Sequence, residues 1–225
     1  MLSEDGVKRT NLRTPRAAAI AGIVFSIALF LAFGLLRVSV PTQSSISDTW
    51  PGDHAEAITV ALTLIPFSGI AFLWLIGVLR DRLGQREDRL FATVFLGSGL
   101  LFLAMLFSAA AVASAAVTVF SGTPHQPIDL RMLVFARTLV SDLMNVYAIK
   151  MAAVFMFSTS TVTVYTGFAP RYIGFLGYGL ALFLLLGSHY IEYSFFVFPA
   201  WVLLLSAHIL ADDLRRQSHV HNPSP

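Results

Sequence analysis

Residues Ala17–Leu36 read AAAIAGIVFSIALFLAFGLL, twenty positions without a charge, bracketed by Arg16 and Arg37. A helix rises ~1.5 Å per residue, so the run measures about 30 Å, the thickness of a bilayer's hydrocarbon core. A secretory signal carries a shorter apolar stretch of ~7–15 residues followed by a small-residue cleavage site. Here the stretch is longer and continues as Arg37-Val38-Ser39-Val40-Pro41. The run is therefore expected to be kept as a membrane span.

The same signal repeats along the chain. Five further apolar segments fall at about Ala55–Leu79, Leu90–Val117, Leu130–Tyr165, Tyr172–Ser188 and Ser194–Ala211. Between them lie stretches rich in Pro, Gly and Ser or in charge: Arg37–Asp53, Arg80–Arg89, Ser121–Asp129, Ala169–Arg171 and His189–Tyr193. Of the 225 residues 56% are hydrophobic and only 12% charged, with a mean hydropathy of +0.73. Soluble domains carry roughly 25% charged residues, so lipid is the expected solvent for most of this surface. The fold expected is an all-α, polytopic integral membrane helix bundle of about six spans. Residues 1–16 form an N-terminal cytoplasmic segment, 17–211 one six-span membrane domain, and 212–225 a polar cytoplasmic tail.

Charge placement orients the bundle. With the N-terminus inside, the inner segments hold Lys8, Arg9, Arg13, Arg16, Arg80, Arg82, Arg86, Arg89, Arg171, Arg215 and Arg216, eleven of the 15 basic residues. Short cytoplasmic loops concentrate Lys and Arg, so both termini are expected inside. Arg37, Arg131, Arg137 and Lys150 are the four exceptions. A plasma (inner) membrane is the expected location.

Composition also removes chemistries. There is no cysteine, hence no disulfide framework, thiolate nucleophile or cysteine-ligated metal or cluster. A net charge of +2 gives no reason to expect nucleic acid as a partner. Histidines and acids collect in the outer loops (Asp48, Asp53, His54, Glu56, His125, Asp129, His189, Glu192). Imidazole with carboxylate suits zinc and related ions, but no loop has a diagnostic spacing, and solvated loop residues are the expected reading. No metal and no cofactor is expected.

Local features distinguish individual spans. Pro66 interrupts the second span and Pro199 the sixth, each a candidate kink. Gly97, Gly99 and Ala104 in the third, and Gly174, Gly177 and Gly179 in the fifth, are small residues of the kind that let helices approach closely in lipid. The fourth segment is too long. From Leu130 to Tyr165 a helix would measure about 54 Å against a core of ~30 Å, so it either projects from the membrane or breaks into an interfacial helix and a span. Its N-terminal part carries Arg131, Arg137, Asp142, Asn145 and Lys150. Charges at membrane depth face protein or a water-filled cavity and are functional candidates. Lys150 falls near the outer edge of the core, where snorkelling to the interface is the competing reading.

The turn after the second span reads Gly77-Val78-Leu79-Arg80-Asp81-Arg82-Leu83-Gly84-Gln85-Arg86. It resembles the loop signature of the major facilitator superfamily, which also lies between spans 2 and 3 on the cytoplasmic side. By that resemblance Asp81, Arg82 and Arg86 would steady one conformation of a transport cycle. The match covers about ten residues, and this chain holds half the twelve spans of a usual facilitator. A tight charged turn held inside by topology accounts for the same residues.

Two weaker likenesses complete the reading. Gly97-Ser98-Gly99 and Ala207-His208 resemble the Ser and His sites of rhomboid intramembrane proteases, although the rest of that pattern is missing and packing explains the glycines. The Thr166–Tyr178 stretch, with Pro170-Arg171-Tyr172, resembles a Pro-Arg-aromatic turn recurring in bacterial polytopic membrane proteins of unassigned activity. With no catalytic set, the expectation is a non-enzymatic bundle, solvated by membrane lipid and associating with itself or with a membrane-protein partner. A small transporter or channel with a polar outer cavity around the fourth span is the alternative.

Overall fold

A computed structural model describes residues 14–39, 55–83, 89–121, 130–167, 169–187 and 193–221. Each apolar segment is a helix, because backbone polar groups in lipid must find their partners within the segment. The helices are α1 (Thr14–Ser39), α2 (Ala55–Leu83), α3 (Arg89–Ser121), α4 (Leu130–Asp142), α5 (Ile149–Thr166), α6 (Arg171–Gly187) and α7 (Val197–His221). No strand occurs among the described residues. Five helical stretches are long and apolar enough to cross a membrane, and α6, at 17 residues, is a shorter apolar helix. This is the all-α bundle of a multi-pass membrane protein.

The fourth segment does not break. A π-helical turn, Leu143–Ala148, joins α4 to α5, so the chain stays helical from Leu130 to Thr166. Its neighbour α3 is itself 33 residues long, about 50 Å. The two over-long helices pack together, α3 against α4, the π turn and α5. At its far end α5 stops on Gly167, whose φ of 66° is left-handed. That conformation is cheap only for glycine, and Pro170 three residues on cannot continue the helix.

One correction concerns a proline. Pro199 is the third residue of α7, not a mid-span position. In the first turn an N–H has no intrahelical partner to lose, so Pro199 starts the helix instead of kinking it. The first part of the polar tail is helical, since α7 runs on to His221. Asp212 to Gln217 contain neither Gly nor Pro, and nothing in them stops a helix.

Around the bundle α1 lies between α2 and α7, α3 between α2 and α5, and α6 mainly against α5. Helices α1 and α7 run antiparallel and are tied at both ends. At one end Arg16 Nε meets Asp213 Oδ2 at 2.6 Å. At the other, Arg37 Nη2 donates to Tyr193 Oη at 3.2 Å, and its guanidinium lies 4.8 Å from the ring centroid. The 21-residue separation of Arg16 and Arg37 corresponds to about 32 Å, close to the ~30 Å of a hydrocarbon core. The two ends are called here the Arg16 end and the Arg37 end.

Five phenylalanines from five helices meet at the centre: Phe25 (α1), Phe72 (α2), Phe102 (α3), Phe155 (α5) and Phe198 (α7), all buried. Phe72 touches the other four, with ring centroids at 4.7, 5.4, 5.0 and 5.7 Å respectively. Most of these pairs are edge-to-face or tilted, the arrangement that the ring quadrupole favours. Lipid tails are as apolar as these rings, so the cluster holds helices by close contact and not by escape from water.

Glycine contacts sharpen the expected packing faces. Gly174 and Gly177 of α6 press on α5, and a Cβ on Gly177 would overlap Ser160 Oγ and crowd Trp201 Nε1. Gly179 faces open space. Two residues along a helix is about 200° of rotation, so Gly177 and Gly179 cannot share a face. Likewise Gly99 meets Ile76 and Phe155, whereas Gly97 meets nothing.

Candidate functional site

The Arg37 end of the bundle contains a cavity of about 350 Å³. Its walls come from α1 (Phe33, Leu36, Arg37), α2 (Ile58, Leu62, Ile65), and the far half of α3 (Ala109, Ala113, Val117). Helix α4 adds Leu133, Arg137 and Ser141, the π turn adds Met144 and Asn145, and Phe195 closes one side. The space exists because α3 offers alanines where its neighbours offer bulk: Ala109, Ala110, Ala113 and Ala116 all line it. From Ile58 to Ile65 is two turns, so the cavity reaches about 10 Å into the bundle.

Among the described residues the lining is apolar except for four side chains, Arg37, Arg137, Ser141 and Asn145. Asn145 Nδ2 donates to Ser141 Oγ at 3.2 Å. An Asn side chain has two donors and an acceptor oxygen, so that bond uses only part of its capacity. Asn145 sits inside the π turn. Such turns interrupt the regular ladder and recur at functional sites. Here the turn begins just after Asp142 and carries Met144 and Asn145 to the cavity wall.

The residues singled out from the sequence separate. Asn145 lines the cavity, while Asp142 and Lys150 are exposed and do not belong to its lining. Lys150 lies sixteen residues before the end of α5, about 24 Å, which sets it near the Arg37 end of the core. Asp81 and Arg82 fall in the last turn of α2, but their side chains lie outside the described residues, as does Arg86 altogether. Of the loop histidines and acids, Glu56 is exposed in the first turn of α2; Asp48, Asp53, His54, His125, Asp129, His189 and Glu192 lie outside the described residues. No group of three or more His, Cys, Asp or Glu able to hold a metal ion occurs among the described residues. Ser98 Oγ donates to the Phe95 carbonyl at 3.1 Å within its own helix, the usual satisfaction of a hydroxyl in a span.

Arg37 and Arg137 are the site residues that motif reading passes over. A signal for them was present: both stand among the four basic residues that break the charge bias. Comparison with protein families, with curated proteins and with solved structures found no match to this chain.

Proposed function

We propose that this chain is a non-enzymatic multi-pass protein of the plasma membrane, with both termini inside, that binds a small, largely apolar molecule in the cavity at its outer, Arg37 end. The observation that carries the reading is the cavity itself: concave, walled by four helices and a π turn, apolar, with a few convergent polar groups. Its ~350 Å³ lies in the range of small-molecule sites, roughly 300–1,000 Å³. The reading fits a carrier or sensor better than a channel, because the central phenylalanine cluster fills the bundle below the cavity.

A diazirine-bearing decanol, photolysed on membranes containing the protein, tests it. Adducts are expected on lining residues such as Ala113, Val117 and Val140, and Ala113→Trp, which fills the cavity, is expected to abolish them. Labelling confined to lipid-facing side chains such as Phe67 and Phe175, unchanged by Ala113→Trp, would sink the reading.

A second reading, a self-associating subunit, rests on α3. It buries 22% of its apolar window, against 33–44% in the other four long spans. Ala104, Ser108, Ala111 and Ala115 are all exposed on it, at the 4-3-4 spacing of a single helix face. Small residues in that pattern suit helix pairing in lipid. Ser108→Cys in this cysteine-free chain should cross-link two copies on mild oxidation. Absence of a dimer band for Ser108→Cys and Ala111→Cys alike would reject it.

A further inference from the structure

Resting on the cavity reading, we infer that the ligand is a compact planar aromatic molecule with an oxygen acceptor, a hydroxyl or carbonyl, on one edge. The side chains around the space supply that chemistry. Phe33 of α1, Phe120 near the end of α3 and Phe195 place three rings in the wall. Met144 of the π turn adds a thioether, and Arg37 and Arg137 add two guanidiniums. Each of these groups has its own attraction for an aromatic ring. Rings meet edge-to-face or offset, sulfur sits at a ring edge, and a guanidinium lies flat on a ring face. The six come from α1, α3, α4, the π turn and the Ser194–Phe196 turn, so they surround the space.

Two such attractions are already made within the wall itself. The Arg37 guanidinium lies 4.8 Å from the centroid of the Tyr193 ring, and Phe33 meets Phe195 edge to face at 5.0 Å. Both arginines also interact within the protein. Stacking uses the flat face of a guanidinium and leaves its N–H edge to other partners, so those interactions and a ring contact are compatible.

Shape and the polar edge agree with that chemistry. Ala109, Ala113, Ala116 and Phe120 follow one another at the 4-3-4 spacing of a single helix face. Their methyl groups make a flat strip that ends on a ring, and a planar molecule covers such a strip more fully than tetrahedral carbons do. The volume of about 350 Å³ stands at the low end of small-molecule sites, roughly 300–1,000 Å³, which bounds the ligand to a compact ring system. Asn145 supplies the polar contact. One of its two N–H donors goes to Ser141 Oγ at 3.2 Å, and the second can meet an oxygen on the ligand's edge. A saturated molecule of the same carbon count would fit the space and gain none of the ring contacts.

The test uses the intact protein in membranes and three alcohols of equal carbon number bearing the same diazirine: a naphthol, its decahydro analogue and decanol. At matched membrane concentration the naphthol is expected to label the lining at least about tenfold more than either saturated alcohol, as two ring contacts imply. In the double variant Phe120→Leu, Arg137→Met that preference should fall away while decanol labelling persists, which also shows that the cavity still stands. A preference that survives the double variant overturns the inference. Asn145→Ala should weaken labelling by the naphthol and leave naphthalene, which lacks the oxygen, unchanged; equal loss for both overturns the assignment of the acceptor. Because the three alcohols are compared on unaltered protein, the result stands even if a variant fails to fold. Equal labelling by all three, or preference for a saturated one, overturns this inference and leaves the cavity reading intact. Labelling of the cavity by none of the three overturns both.

Discussion

Replacing Phe72 by Ala should cost more stability than any other single truncation in the bundle. Its ring is fully buried and touches rings from α1, α3, α5 and α7 at once. Aromatic pairs contribute ~0.5–1.5 kcal/mol each beyond burial, so four pairs bound the loss at roughly 2–6 kcal/mol. In soluble cores Phe→Ala costs ~3–5 kcal/mol, part of it transfer from water. That part is small in a bilayer, where the unfolded reference is also apolar. A loss of about 3 kcal/mol is therefore expected. The assay is reversible unfolding in mixed micelles by added SDS, followed by the emission of buried Trp201 in a background lacking Trp50 and Trp74. The control is Phe67→Ala, five residues earlier on the same helix but 62% exposed, which should lose less than about 0.5 kcal/mol. If the two variants unfold at the same SDS fraction, the phenylalanine cluster is not what holds the helices together.

Three further outcomes follow from individual contacts. Gly177→Ala should destabilise by about 1–3 kcal/mol through overpacking against Ser160 and Trp201, whereas Gly179→Ala, which meets nothing, should gain up to about 1 kcal/mol of helix propensity; the same unfolding assay separates the two. Ser160 Oγ is buried without a hydrogen-bond partner among the described residues, so Ser160→Ala should leave stability unchanged or raise it slightly, and a loss above about 1 kcal/mol would show that the hydroxyl is hydrogen-bonded. Asp213→Asn should cost no more than about 1 kcal/mol, because the Arg16–Asp213 pair is partly exposed, and raising the salt concentration should shrink the difference.

The spans were legible in the sequence because lipid leaves the backbone one choice. The expected segment Leu130–Tyr165 and the observed helical stretch Leu130–Thr166 differ by one residue, and Ala55 opens the second span in both. Which face of each helix turns inward was not legible. In a soluble helix polar residues mark the outside; here both sides are apolar. Phe25 is buried and Ile27 exposed, Phe72 buried and Trp74 exposed, and hydropathy does not tell them apart. The phenylalanine cluster was hidden for that reason. The π turn was hidden because Leu143–Ala148 has ordinary helix-forming composition, and the turn answers tertiary packing against α3. Of the expected site residues, Asn145 reached the cavity because its span holds polar groups at depth. Asp142 and Lys150 share that trait and yet are exposed. The charge bias was the better guide, since its exceptions include Arg37 and Arg137.

In the proposed reading the cavity opens at the outer end of a bundle whose two termini lie inside. The chain has no cysteine, so a single introduced thiol reports its side of the membrane without background. In intact cells a membrane-impermeant maleimide should modify Ser141→Cys, at the cavity wall, and should leave Leu214→Cys, exposed near the end of α7, untouched until the membrane is permeabilised. The opposite pattern would invert the topology and place the cavity in the cytoplasm. Equal labelling of both positions in intact cells would contradict the six-crossing bundle itself.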